Sequence, residues 1–186
     1  ITKSIFTSPK GYYAVNEIFK QPALASTLNR IQINGPREFY EGKTAEYIIK
    51  CMKRTGGIIT MDDLLNYSAV VREPITFKYR DYTIYSMPPP SSGGIALAGI
   101  LNQLENIDMT EFEFHSIEHI QNVVEAERNV YADRAYYLGD MDYYPVPIKE
   151  LVSQEYSNHR WDEIDISRAR SSKDVHHGDI IFNYNE

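Results

Sequence analysis

The chain has 186 residues and a formal net charge of −7 at pH 7, which is long enough for one domain with a real core. The acidic balance gives no electrostatic case for nucleic acid or an anionic membrane surface, and no apolar run reaches the ~20 residues needed to span a bilayer. The one cysteine, Cys51, excludes an internal disulfide and reads as a small hydrophobe on a helix.

Ile1-Thr2-Lys3-Ser4 lacks the basic and apolar regions of a signal peptide and does not open with Met, so the chain is expected to be a processed or excised segment. Gln21-Pro22 then opens a helical pattern, proline being well placed in a first turn because its missing N–H would be unpaired there. Leu24, Leu28 and Ile31 share a face, and Asn34-Gly35-Pro36 ends the helix. A second helix is expected from Thr44 to Arg54, with Ala45, Ile48, Ile49 and Met52 as its apolar stripe, Glu46 paired to Lys50, and Gly56-Gly57 as its stop. Asp62 to Tyr67 reads as a short capped helical turn.

Ile75, Phe77 and Tyr79 alternate with Thr76, Lys78 and Arg80, and Tyr82 to Met87 is rich in Thr, Ile and Tyr. Together they predict an antiparallel hairpin turning at Arg80-Asp81. Pro88-Pro89-Pro90-Ser91-Ser92-Gly93-Gly94 follows. Three prolines exclude a central strand, and Ser91 or Ser92 can cap a helix running to Asn106. That helix is apolar all round, hence buried. A longer helix begins near Ser116 with Ile117, Ile120, Val124, Tyr131 and Leu138 along one face, and Glu127 and Arg134 close to it. A shorter helical stretch covers Ile148 to Trp161. From Asp165 the chain is polar and aperiodic, which predicts a globular unit over residues 1–164 and an exposed, mobile tail over 165–186.

Five constellations carry possible chemistry. His115-Ser116-Ile117-Glu118-His119 matches H-x-x-E-H, but Ser116 is a helix cap, which leaves His115 outside the regular helix, and no downstream Glu helix supplies a third ligand. His176-His177 reads as a solvated pair. Ser91-Ser92-Gly93-Gly94 offers helix N–H groups to an anion, yet lacks the spacing of a P-loop and reads as the rigid start of a buried helix. No G-x-S-x-G elbow surrounds Ser91 or Ser92, so neither is read as a nucleophile. Glu125-Ala126 and Tyr131-Ala132-Asp133-Arg134 read as a structural polar network, because a buried Arg needs a carboxylate or carbonyl partner. No catalytic, cofactor-binding or metal-ligating residue is assigned to this chain.

Taken together, Gln21-Pro22-Ala23-Leu24-Ala25-Ser26-Thr27-Leu28, Phe39-Tyr40-Glu41-Gly42, Gly56-Gly57 with Asp63-Leu64, Ser86-Met87-Pro88-Pro89-Pro90-Ser91-Ser92-Gly93-Gly94, and Glu125-Ala126 through Asp133-Arg134 to Leu138-Gly139-Asp140 resemble the γ-glutamyltranspeptidases. These belong to the N-terminal-nucleophile hydrolases. The resemblance runs in the family's order over residues 11 to 161 and covers the second half of a large subunit. It implies a helix-rich α+β unit with a β-hairpin, part of an αββα sandwich. It implies an enzyme that transfers or hydrolyses γ-glutamyl groups of glutathione and related amides, without a cofactor. The nucleophile would be the new N-terminal Thr of a small subunit, freed by self-cleavage. The ending Asn183-Tyr184-Asn185-Glu186 resembles the stretch before that cleavage point, so the scissile bond is expected after Glu186, the nucleophile beyond it, and the fragment alone inactive. Its partners would be the upstream half of the large subunit, the small subunit and a γ-glutamyl small molecule. Bacterial family members are commonly periplasmic or secreted, which the resemblance implies for this chain as well. A cephalosporin-acylase-like enzyme, a poly-γ-glutamate-processing relative and a non-catalytic α+β binding module are the alternatives.

Overall fold

The computed structural model describes residues 2–181, and the Asn183–Glu186 ending lies outside them. The chain divides into two compact units at Val70–Val71.

The first unit is helical: α1 Thr2–Phe6, α2 Pro22–Asn34, α3 Arg37–Tyr40, α4 Lys43–Thr55 and α5 Met61–Leu65. Its polar hinge is Glu38, a buried carboxylate on α3. Arg30 Nε on α2 donates to it at 2.9 Å, and the Thr44 amide and hydroxyl on α4 donate to the same oxygen at 3.2 and 3.0 Å. Three helices are thus tied to one acceptor. Gly56 caps α4 as expected, giving its N–H to the Met52 carbonyl. Thr60 and Asp63 form a reciprocal capping box on α5. The Glu46–Lys50 pair expected on α4 is absent from the ion pairs of the described residues. The stripe read on α2 exists, but Leu24 and Leu28 are exposed, and no residue of α2 is buried.

The second unit starts with the predicted hairpin, β1 Ile75–Tyr79 and β2 Tyr82–Ser86, paired Ile75 to Ser86 through Tyr79 to Tyr82. Its turn has no glycine. Arg80 instead takes φ +52°, an arrangement that costs a non-glycine residue roughly 1–2 kcal/mol, and its N–H is fixed by Glu105 Oε1 at 2.8 Å. Then come α6 Gly93–Leu104, a 3-10 turn Met109–Glu111, α7 Ile117–Tyr137, α8 Ile148–Leu151 and α9 Gln154–Asp162. Phe77, Ile75, Ile95, Ala98, Tyr137 and Leu151 form the core. Burial of a side chain the size of Ile or Phe contributes about 1.5–3 kcal/mol. The hairpin, α6, α7 and α8 therefore share one apolar interior. The expected stretch Ile148 to Trp161 is two helices, because Ser153 re-caps the chain by accepting the Tyr156 N–H at 3.2 Å.

Two expectations about the large helices need correction. α6 is not apolar to its neighbours all round: Leu97 is exposed, while Asn102 and Gln103 are buried. On α7 the expected face is reversed. Ile117 is 79% exposed, Ile120 and Tyr131 are exposed, and so are Glu127 and Arg134. The buried face is Asn122, Glu125, Ala126, Asn129, Val130, Asp133 and Tyr137. Polar residues line it because their partners come from α6, α9 and the segment after α9. Among the described residues no helix is long and apolar enough to cross a membrane.

Candidate functional site

Glu125, Asn129, Asp133 and Tyr137 recur every four residues on α7, so they stack along one face of the helix. Each is buried. Glu125 is met by Arg170: the Arg170 amide donates to Oε1 at 3.0 Å and its Nε to Oε2 at 2.6 Å, while Nη2 reaches the Glu125 carbonyl at 3.3 Å. Arg128 pairs with the same carboxylate. Burial pushes the Glu125 carboxyl up, but the Arg170 hydrogen bonds and the charges of both arginines outweigh it, leaving the group below the ordinary carboxylate range. One turn on, the Asn129 side chain accepts from Arg170 Nη2 at 2.9 Å and donates to Gln103 Oε1 at 2.9 Å and to the Arg160 carbonyl at 2.7 Å.

The next rung belongs to Arg160 of α9, which is 1% exposed. Its Nε donates to Asp133 Oδ2 at 3.3 Å, its Nη2 to the carbonyls of His176 at 2.7 Å and Asn129 at 3.4 Å, and its Nη1 to Glu163. Asp133 also accepts the Gly178 amide at 2.9 Å. Burial still raises the Asp133 carboxyl, against the pull of Arg160 and Gly178. The Tyr156 hydroxyl is buried beside this carboxylate outside ordinary hydrogen-bond geometry. Burial and the Asp133 charge push it well above the usual phenol range. On the last rung, Tyr137 Oη donates to the Gly178 carbonyl at 2.7 Å and accepts the Ile180 amide at 3.1 Å.

Residues 166–180 are mostly exposed, as composition suggests, but are anchored to the body as a strap at Ile166, Arg170, His176, Gly178 and Ile180. Gln121 Nε2 holds the strap's start through the Ile166 carbonyl at 2.8 Å. A Cβ on Gly178 would fall 2.6 Å from Arg160 Cδ and 2.6 Å from Tyr156 Oη, so glycine is what lets the strap sit this close. The cavity enclosed between α6, α7 and α9 is only about 10 Å³, room for no more than one water. The ladder's interior between these helices is filled, and an open surface concavity of about 320 Å³ lies beside it, lined by Arg160, Glu163, Arg170 and Gly178 among others.

The other constellations do not converge on it as a chemical set. His115 takes φ +68° outside α7 and stacks on Phe114 at 3.8 Å, while Ser116 accepts the His119 N–H at 3.1 Å as the expected cap. Among the described residues no three His, Cys, Asp or Glu side chains are grouped to hold a metal ion. His177 stacks on Tyr136 at 3.6 Å, and its Nδ1 lies 3.1 Å from the Gly178 carbonyl; the His176 side chain is exposed, and its carbonyl accepts from Arg160. Ser92 stands at the N-cap position just before α6, but its side chain makes no capping hydrogen bond. Its hydroxyl accepts from Arg134 Nε at 2.8 Å, and the Ser91 hydroxyl accepts the Gly93 amide at 3.4 Å. A guanidinium cannot take a proton from Ser92. A Cβ on Gly94 would lie 2.3 Å from the Met87 carbonyl oxygen, so that glycine serves the crossing of hairpin and helix. Cys51 is half-buried on α4 and beside Arg54.

The polar network expected around Glu125 and Asp133 is present, but Arg134 is not its cation. Arg160 and Arg170 are, and neither stood out in the sequence. The usable signal was the four-residue repeat of Glu, Asn, Asp and Tyr on α7, which demands a buried cation from elsewhere.

A family model described as Gamma-glutamyltranspeptidase matches residues 1–185. The chain is 44% identical over 179 residues, 96% of its length, to a glutathione hydrolase proenzyme of Escherichia coli, and covers 31% of that relative. A proenzyme of the same description from Pseudomonas aeruginosa is 39% identical over 95% of this chain and 32% of its own length. The crystal structure of Helicobacter pylori gamma-glutamyltranspeptidase superposes with a TM-score of 0.81 at 38% identity, covering 99% of this chain and 54% of that one. The chain thus spans about a third of the length of these curated relatives. With a helix-rich α+β fold shared with such a structure, and a family match along its whole length, this chain belongs to the γ-glutamyltranspeptidase family.

Proposed function

We propose that this chain is the second half of the large subunit of a self-processing enzyme that hydrolyses or transfers γ-glutamyl groups of glutathione and related amides. Likeness along nearly the whole chain to proenzymes named as glutathione hydrolases carries this reading. In it, an N-terminal Thr beyond Glu186 attacks the γ-glutamyl carbonyl, and its own amine serves as base. The amine half of the substrate leaves, and water or an amino acid then takes the acyl group. The residues described above hold no reacting role. Arg134 occupies the Ser92 hydroxyl, and the buried carboxylates are taken by arginines. The remainder of the precursor is this chain's partner.

The test is turnover of a γ-glutamyl anilide by the chain alone and by the product of the whole reading frame. The chain alone is expected to be inert, because loss of a nucleophile costs several orders of magnitude in rate. The whole product is expected to cleave itself and turn over. Turnover by the chain alone that disappears on Ser92→Ala overturns the reading.

A further inference from the structure

The two units differ in what they bury. The apolar core described above belongs to the second. Among the described residues of the first, Ala45 is the only buried apolar side chain. Ordering a segment of that length costs conformational entropy, which burial of apolar surface has to offset. One alanine is too little for that.

The two long helices of the first unit differ as well. Of the seven exposed positions on α4, five are charged: Lys43, Glu46, Lys50, Lys53 and Arg54. That is the face of a helix in contact with water. α2 has ten exposed positions and none of them is charged. Leu24, Leu28 and Ile33 are 49%, 57% and 71% exposed, and the other seven positions are Pro, Ala, Ser, Asn and Gln. The one charged residue of α2, Arg30, is held by Glu38 and Thr44. An exposed helix face without charge has the composition of an interface centre, where charged residues are depleted. With no exposed lysine or arginine, it is unsuited to an anionic lipid surface.

We propose that the Leu24–Leu28–Ile33 surface of α2 docks against the upstream half of the same large subunit, through an apolar, uncharged segment of that half. The proposal rests on the reading that this chain is the second half of that subunit. The chain covers 31% of the Escherichia coli proenzyme and 54% of the Helicobacter pylori chain, so a precursor of that length has ample polypeptide to cover this face. Consecutive segments pack as neighbours roughly two-thirds of the time, and the upstream half adjoins the first unit in sequence. The small subunit would instead follow the second unit, which has a core of its own. The first unit then completes its interior only with the upstream half in place.

The test puts the photo-crosslinker p-benzoylphenylalanine in place of Leu28 in the complete precursor and identifies the crosslinked peptide by mass spectrometry. A crosslink within one chain, to residues upstream of Ile1, is expected. A crosslink to the small subunit, a crosslink to a second copy, seen as a band of twice the mass, or no crosslink overturns the proposal. So does a reading frame with nothing upstream of Ile1. If the bulky residue prevents folding, hydroxyl-radical footprinting of the unsubstituted precursor decides: Leu24 and Leu28 are expected to lose the oxidation they show in urea, and undiminished oxidation in the native protein overturns the docking. Turnover of a γ-glutamyl anilide, measured on the unsubstituted precursor, separates the two readings. Its absence removes the enzymatic reading and leaves the crosslink to decide the surface, whereas a crosslink elsewhere with turnover intact removes this proposal alone.

Discussion

Glu125 and Asp133 are two buried carboxylates eight residues apart on one helix face, and their environments push them in opposite directions. Arg170 binds Glu125 through two oxygens at 3.0 and 2.6 Å; Arg160 approaches Asp133 at 3.3 Å while dividing its donors among three other acceptors. Glu125 is therefore held below the ordinary range and Asp133 above it, burial being the largest influence on both. The linked stabilities have opposite sign. A depressed carboxyl contributes stability above its unfolded pKa of about 4.3, and this is lost as pH falls through its folded value. A raised carboxyl contributes stability below its unfolded pKa of about 3.9, lost as pH rises through its folded value. Denaturant midpoints of this chain measured between about pH 5 and pH 3 should separate the two. Glu125→Gln is expected to flatten the acid-induced loss of stability, and Asp133→Asn to steepen it. Equal slopes in both variants and the parent would contradict the assignment.

Helix α7 shows how a pattern of apolar residues can be present and still not mark the buried side. Ile117, Ile120, Val124 and Tyr131 do form a stripe, but Ile117, Ile120 and Tyr131 are exposed, while the opposite side carries Val130 and Ala126 between its polar rungs. Substitution separates the two faces. Ile117→Lys is expected to change stability by less than about 0.5 kcal/mol, the usual range for a surface site. Val130→Ala should cost about 2 kcal/mol, since it empties space against α6 where Gly99 lies in close contact with the Val130 methyls. Urea unfolding of the two variants measures both, and a larger loss at Ile117 would restore the face expected from the sequence. The hairpin and the caps at Ser116 and Gly56 were readable because their signals are local: period-two alternation, a hydroxyl three residues before the N–H it accepts, or a glycine free to take the left-handed conformation. Of the two candidate caps, the Ser91 hydroxyl accepts the Gly93 amide at 3.4 Å, while the Ser92 hydroxyl is held by a distant residue, Arg134.

For the chain as a whole, the boundary that matters in the described residues falls at Val70–Val71, and residues 166–180 belong with the second unit. Hydrogen exchange checks this directly. The amides of Arg170, Gly178 and Ile180, donated to Glu125, Asp133 and Tyr137, are expected to exchange at least about 10-fold slower than in an unfolded peptide, a modest local protection. Exchange at the unfolded rate across 170–180 would return the segment to the free tail that its composition suggests.

Composition, local motifs and residue order by themselves determined the family, the helix-rich α+β class, the hairpin and most helix ends, because these depend on contacts within a few residues of each other. They also picked out Glu125 and Asp133 as members of a polar network. Only the tertiary structure decided which cations complete it. Arg170 lies forty-five residues from Glu125 and Arg160 twenty-seven from Asp133, and no local period reports a partner at that distance. The same long-range pairing turned α7's polar face inward, since a carboxylate with an arginine and backbone amides around it can be buried where an unpaired one cannot. It also laid a segment with the composition of a loose tail against the body, where side-chain acceptors hold its backbone in place of an apolar pattern of its own.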